Sequence, residues 1–312
     1  MTRAVVFGYG DVGVRCLATV LARGLVVPLV VTHQDDLNEN RWFQSLAEFA
    51  RVRDIPVVTA ETTDPAQLLE WVRLNDPAFI FSFYYRRMLP PALLALASRG
   101  ALNMHGSLLP KFRGRAPINW AVLQGETQTG ATLHYMVEKP DAGAIVAQRA
   151  VPILPDDTAL DVFRKVCGAA ELLLYDTLPR LVDGTIESTP QNLAAGSYFG
   201  ARRPEDGAID WSQAAQRIHD LVRAVAPPFP GARTKLDGRP ARILRTLRAP
   251  EIVSEFDRPT AFARGDRSYV SCGDGRALRV LDIEIDGDSV DPARLSERLA
   301  QRPVRLPMQA SP

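Results

Sequence analysis

The chain predicts an α/β fold with a parallel, doubly wound sheet, followed by a small β-barrel, and three observations carry that prediction. Short apolar runs rich in Val, Ile and Phe at 4–7, 26–32, 56–58 and 78–83 alternate with helical stretches at 12–23, 41–53 and 65–74. That order and spacing is what a parallel sheet with crossover helices requires. After a polar, Gly- and Pro-containing stretch from Thr189 to Pro204, the pattern changes to short strands at 241–247, 260–264, 268–272 and 277–284. Between the two regimes, 100–103 reads as a further buried strand, 131–137 with 144–148 as a hairpin, and 158–184 as a long helix. Ser212 reads as the N-cap of a helix over 213–225, stopped by the prolines at 227, 228 and 230. The expected organisation is a domain over 1–189, a linker over 190–204, a second domain over 205–300 and a poorly ordered tail over 301–312.

Composition narrows the function classes. The 312 residues are 46% hydrophobic and 23% charged with a formal net charge of +1, so no global field recruits nucleic acid or an anionic membrane. Of the 37 basic residues only Lys111, Lys139, Lys165 and Lys235 are lysine. Cys16, Cys167 and Cys272 are odd in number and far apart, in no metal-ligand spacing, which suits a reducing compartment and no metal. Ala4–Phe7 enters a strand at once with no signal-peptide pattern, and no apolar run approaches the roughly 20 residues of a membrane span. A cytoplasmic protein with no membrane partner is expected.

The chemistry concentrates in Asn103-Met104-His105-Gly106 and in Lys139-Pro140-Asp141-Ala142-Gly143. Strand side chains alternate faces, so Asn103 and His105 point the same way. An amide can donate to a developing oxyanion, an imidazole can move a proton, and Asp141 sits in a turn able to fold back on the ring. Both segments follow strand ends, where ligands bind in doubly wound sheets. A histidine near a strand end and an asparagine near a glycine are also common structural residues, and spacing alone leaves both readings open.

Gly8-Tyr9-Gly10-Asp11-Val12-Gly13 is a literal G-x-G-x-x-G between a strand and a helix, the outline of a dinucleotide site. The second strand lacks the acid that would hold a ribose hydroxyl: it ends Val30-Val31-Thr32-His33, and Asp35 and Asp36 come late. Glycines that let the turn pack on the sheet are the better reading, and no NAD is expected. An NAD(P)-binding dehydrogenase built on Gly8, Gly10 and Gly13 stays as the alternative from another class, as does a binding protein that has kept the fold without chemistry.

The run Asn103–Trp120, with Asp141-Ala142-Gly143, Phe81–Arg86, Asp210-Trp211 and Pro230-Gly231-Ala232, resembles folate-dependent formyltransferases over most of the chain. Within that family it is most similar to the branch acting on UDP-4-amino-4-deoxy-L-arabinose in lipid A modification and polymyxin resistance, and more distantly to methionyl-tRNA formyltransferases. The resemblance implies a Rossmann-like catalytic domain, an OB-like second domain, and transfer of a formyl group from 10-formyltetrahydrofolate to a primary amine. It implies Asn103, His105 and Asp141 as the catalytic group, with Asp141 raising the pKa of His105. Folate contacts would be Arg87, Met88, Leu89, Arg115, Val137, Glu138, Lys139, Pro140 and Asp141; Arg87 stands where that branch is expected to carry a histidine. Few residues follow position 300, so formylation is expected without a further catalytic domain.

Charge decides between amines. Residues 204–312 hold 17 Arg and Lys against 16 Asp and Glu, and the loop His33–Asn40 is acidic where tRNA-specific members carry a basic insertion. A nucleotide-linked amino sugar is therefore expected ahead of tRNA. Phe83-Tyr84-Tyr85-Arg86 offers aromatic and cationic groups for a base or a diphosphate. His33, His134 and His219 show no partners in the sequence.

Overall fold

A computed structural model describes residues 1–35 and 42–308. The chain divides into two compact units. One comprises Met1–Pro117, Gln128–Pro152 and Phe163–Gly200; the other comprises Ile118–Thr127, Ile153–Val162 and Ala201–Pro312.

The N-terminal two thirds of the chain runs β1 (Arg3–Gly8), α1 (Gly10–Ala22), β2 (Val26–Thr32), α2 (Leu46–Arg51), β3 (Val57–Thr59), α3 (Pro65–Leu74), β4 (Phe79–Phe83), α4 (Pro91–Leu94) and β5 (Ala101–His105). It continues with β6 (Arg113–Gly114), α5 (Pro117–Leu123), β7 (Gln128–Tyr135), β8 (Ile145–Pro152), α6 (Ala159–Asp183) and β9 (Tyr198–Phe199). The main sheet has the order β3-β2-β1-β4-β5-β7-β8, parallel through β5 and closed by the antiparallel pair β7 and β8. This is the doubly wound α/β sheet that the alternation of apolar runs and helices predicts. Val5, Phe7, Val31, Ile80 and Leu93 form part of its core. The chain winds from β1 out to β3, then returns to β4 on the other side of β1. That reversal opens a crevice at the strand ends, the usual place for a ligand in such sheets.

The predicted helix over 41–53 is shorter than expected. It begins at Leu46, capped by Ser45, whose side chain accepts the Glu48 N–H. The start of that expected helix at position 41, and the acidic stretch Asp36–Asn40, lie outside the described residues.

The second unit contains α7 (Ala215–Val225), β10 (Ala232–Leu236), β11 (Arg239–Val253), β12 (Thr260–Arg264), β13 (Arg267–Ser271), β14 (Arg276–Ile285), β15 (Asp288–Ser289), α8 (Pro292–Gln301) and β16 (Val304–Arg305). Its strands form an antiparallel sheet in the order β10-β11-β14-β13-β12-β16, a curled, open half-barrel around Trp211, Leu236, Ile243, Val270 and Ile283. Trp211 is fully buried and its Nε1–H donates to Thr234 at 2.8 Å.

Two local expectations fail here. Ser212 does not cap α7: its hydroxyl donates to Asp210 at 2.5 Å, and the helix starts beyond Ala214. An aspartate two residues earlier offers serine a turn in place of a cap. The tail is ordered as far as 308: Val304 pairs with Ala261, Leu306 is buried, and the Met308 carbonyl accepts the Trp211 N–H. The helix α8 was not read from the sequence, although Asp291 followed by Pro292 is a start signal; Asp291 accepts the Ala293 and Arg294 N–H groups. No described helix is long and apolar enough to cross a membrane.

Candidate active site

The glycine turn after β1 shows what its spacing is for. A Cβ on Gly8 would stand 2.8 Å from Leu46 Cδ2, and one on Gly13 3.2 Å from the same atom. Gly10 has φ +60°, where other residues are strained. Gly8 and Gly13 therefore form a notch for Leu46 of α2, an apolar joint within the fold.

Beyond that turn, a cavity of about 570 Å³ opens over the crevice between β1 and β4, within the size range of small-molecule sites. Tyr9, Trp42, Phe43 and the Tyr84–Leu89 segment line it from one side, and Asn103, His105, Arg115, His134 and Asp141 from the other. The expected contacts Arg87, Met88, Leu89, Arg115, Val137, Pro140 and Asp141 all line this cavity. Glu138 and Lys139 are exposed at the hairpin tip and do not. Met88 and Val137 are 60% and 44% exposed, an apolar rim around a concave surface.

Asn103 and His105 share a face of β5, as alternation requires. The Asp141 loop brings its carboxylate against both: Oδ1 lies 3.5 Å from His105 Nδ1 and 3.5 Å from Asn103 Nδ2, while Oδ2 accepts the Gly114 N–H at 2.9 Å. Asp141 has φ +51°, a left-handed conformation uncommon for a residue with a side chain. His105 Nε2 lies 2.8 Å from the Phe112 carbonyl. A carbonyl only accepts, so this nitrogen carries the hydrogen and Nδ1 faces the carboxylate unprotonated in the neutral ring.

His134 is the residue the sequence did not connect. The antiparallel register pairs Asn103 with His134, which sets the two side chains on one face. His134 Nδ1 donates to the Tyr135 carbonyl at 2.8 Å, so Nε2 accepts from Asn103 Nδ2 at 3.2 Å and fixes which end of the amide faces the site. The signal available was Thr132-x-His134, a period of two within the expected hairpin.

Burial pushes the His105 pKa down, and His134 adds to that; Asp141 and the Phe112 carbonyl oppose it without overcoming it. Asp141 therefore acts in the expected direction, but the net shift is downward, and desolvation of a fully buried ring is the reason. Burial raises the Asp141 carboxyl, yet the charge of protonated His105 and the Gly114 N–H oppose it, and the carboxyl comes to about 2. In the free protein at neutral pH the pair is a neutral imidazole beside a carboxylate.

His33 also has partners. Nδ1 donates to Glu61 at 2.8 Å, Nε2 accepts the Arg86 N–H at 3.0 Å, and the ring stacks on Tyr85 with centroids 4.5 Å apart. Arg87 reaches the Ala60 carbonyl at 2.8 Å and Glu61 at 3.5 Å. Both side chains fix the 84–89 wall from behind. Arg113 is buried, with Nη2 3.4 Å from the Leu193 carbonyl, whereas Arg115 is exposed on the cavity wall. Among the described residues no group of three or more His, Cys, Asp or Glu side chains is arranged to hold a metal ion.

Sequence profiles of a known family match most of the chain: Formyl transferase over residues 2–178 and Formyl transferase, C-terminal domain, over 202–295. Among solved structures, the chain is similar to an N-formyltransferase from Helicobacter canadensis in complex with folinic acid and dTDP-3-aminofucose. The TM-score is 0.72 at 22% identity, over 90% of this chain and 99% of that one. A sugar 3N-formyl transferase in the presence of dTDP and 5-N-formyl-THF gives 0.71 at 19%, over 90% and 97%. A sugar N-formyltransferase from a Shewanella species gives 0.62 at 21%, over 78% and 96%.

Proposed function

The chain belongs to the formyl transferase family, and from that premise we propose that it moves a formyl group from 10-formyltetrahydrofolate to the primary amine of a nucleotide-linked amino sugar. UDP-4-amino-4-deoxy-L-arabinose is the first candidate acceptor. The observation that carries the reading is the convergence of Asn103, His105 and Asp141 on one wall of a cavity large enough for two ligands' reacting ends. The complexes of the structural neighbours with folate derivatives and a dTDP-linked amino sugar support it. The apolar rim at Met88 and Val137, beside backbone of the 85–89 and 137–141 segments, fits a flat heteroaromatic group. The formyl donor supplies an activated one-carbon unit.

This chain's residues do the rest. His105 Nδ1, unprotonated and facing Asp141, takes the proton the amine sheds on attack, and the carboxylate stabilises the resulting imidazolium. The same Nδ1–H then returns the proton to the leaving nitrogen. Asn103 Nδ2 donates to the negative oxygen that develops on the formyl carbon. Its 3.5 Å contact to Asp141 is at the limit of a hydrogen bond, so that hydrogen is the one the oxygen takes over.

A tRNA acceptor is disfavoured by the register of the second sheet. The basic run of β11 lies beside the acidic face of β14: Arg242 pairs with Glu284, Arg239 reaches Asp286 at 2.7 Å, and Arg245 stands opposite Asp282. Arg248 is bonded to Gln216 at 2.7 Å. Charges neutralised across a ladder leave little for phosphate. A dinucleotide reading is disfavoured because Leu46 fills the glycine notch.

Purified protein with 10-formyltetrahydrofolate and, in parallel, UDP-4-amino-4-deoxy-L-arabinose, dTDP-3-aminofucose and methionyl-tRNA tests this reading. Turnover of a sugar nucleotide that collapses in His105→Ala and Asp141→Ala is expected. Turnover of methionyl-tRNA alone overturns the acceptor class.

A further inference from the structure

The polar stretch from Thr189 onward was expected to be a linker, yet its first eleven residues are bonded to the active-site loops at every turn. Thr189 exchanges two backbone hydrogen bonds with Ile145, both 2.8 Å. Gln191 Nε2 donates to the carbonyls of Asp141 at 3.0 Å and Gly143 at 2.7 Å. Ser197 Oγ accepts the Phe112 N–H at 2.8 Å, and its backbone bonds Pro110 and Arg113. Phe199 stacks on Phe112, and its carbonyl accepts the Arg115 N–H at 2.9 Å.

The approach is close enough to demand glycine. A Cβ on Gly196 would lie 2.2 Å from the Pro110 carbonyl, and on Gly114 2.1 Å from the Phe199 carbonyl.

These attachments end on the groups that hold the proton-transfer pair. Phe112 supplies the carbonyl bonded to His105 Nε2, and Gly114 the N–H bonded to Asp141 Oδ2. Gln191 binds the carbonyl of Asp141 itself and that of Gly143 two residues on. Two carbonyls can only accept, so the amide nitrogen must face them, and Gln191 Oε1 is left buried with no hydrogen-bond partner. The amide is thus oriented at a cost, and what it fixes is an aspartate in the left-handed region.

Resting on the formyl-transfer reading, we infer that Gln191 is a positioning residue: its amide clamps the backbone leaving Asp141, at the Asp141 and Gly143 carbonyls, and so holds the carboxylate against His105. It lies outside the cavity lining. Without the clamp, Asp141 relaxes toward an ordinary backbone basin and its carboxylate draws away from the ring.

Gln191→Met keeps the length and removes both donors. Three readouts on the full chain test it. First, kcat falls about 10- to 100-fold, the cost of a misplacement near 1 Å, while KM for both substrates stays near wild type. Second, NMR titration of ring-labelled histidine, with His105→Ala identifying the signal, gives a lower midpoint for His105 in Gln191→Met, because the charge that raised it has moved away. Third, in an Asp141→Asn background the Gln191→Met change costs nothing further, since the residue it positions is already disabled. Unchanged kcat and titration midpoint overturn the proposal, as does a loss of activity that only follows the folded fraction seen by circular dichroism. The titration needs no substrate. A wild type that formylates neither sugar nucleotide therefore removes the reading of the reaction, while the His105 midpoint still decides the role of Gln191.

Discussion

Two buried histidines, one in each unit, have nearly the same surroundings on paper. His105 is 6% exposed and His219 1%; burial pushes both pKa values down; both have a carboxylate within 3.5 Å. The difference lies in what remains open. His219 Nε2 donates to the Pro155 carbonyl at 3.1 Å, with Asp156 nearby, and Nδ1 accepts from Thr246 at 2.9 Å. Next to it, Arg223 is bonded to Asp220 at 2.7 Å in a pair almost fully buried. Every polar atom of that ring has a partner. His105 keeps Nδ1 unprotonated on a cavity wall, facing a carboxylate. Depressed basicity therefore marks burial; an unfilled ring nitrogen on a cavity marks chemistry.

The largest test is to remove each ring. His105→Ala lowers kcat/KM by about 10²- to 10⁴-fold, the usual worth of a proton-transfer group, with little change in thermal unfolding. His219→Ala leaves turnover per folded molecule unchanged, and parity of the two variants in activity would erase the contrast. Next, Asp220→Asn strands the Arg223 charge in the second unit and costs about 3–5 kcal/mol of stability by denaturant titration, with turnover per folded molecule unchanged.

The third test is pH. Because His105 titrates below its ordinary 6.5, the acid limb of kcat/KM falls below that value. Asp141 raises the ring, so Asp141→Asn moves the limb to still lower pH while reducing the rate; a limb moving upward contradicts the geometry. The stability signs follow. His105 folds better neutral, so its contribution is full above 6.5 and is lost as pH falls from there toward the lower value of the folded ring. Asp141, at about 2 against 3.8, contributes above 3.8 and loses it as pH falls toward 2. Smallest of all, Asp156→Asn beside His219 changes stability by less than about 1 kcal/mol, since Asp156 is 54% exposed, and leaves the pH profile alone.

What could be read in the sequence follows the range of each interaction. Asn103 and His105 were legible because strand alternation is local, and the sheet because its apolar runs repeat. Asp141 was legible through its turn and its resemblance. His134 was not, because its link to Asn103 depends on the register of two strands 31 residues apart. Gln191 was hidden for another reason: a polar stretch bonding backbone carbonyls has the composition of a linker.

The fixed amide of Asn103 has a consequence for inhibitor chemistry. With His134 Nε2 available only as an acceptor, the amide cannot flip without setting its oxygen against a lone pair and against Asp141. The pocket thus has a fixed polarity beside Asn103. Compounds presenting an anionic or gem-diol oxygen there meet a donor already aimed at them. Isosteres presenting an N–H meet that donor head-on, and medicinal chemists should see affinity fall on that swap even when shape and size are kept.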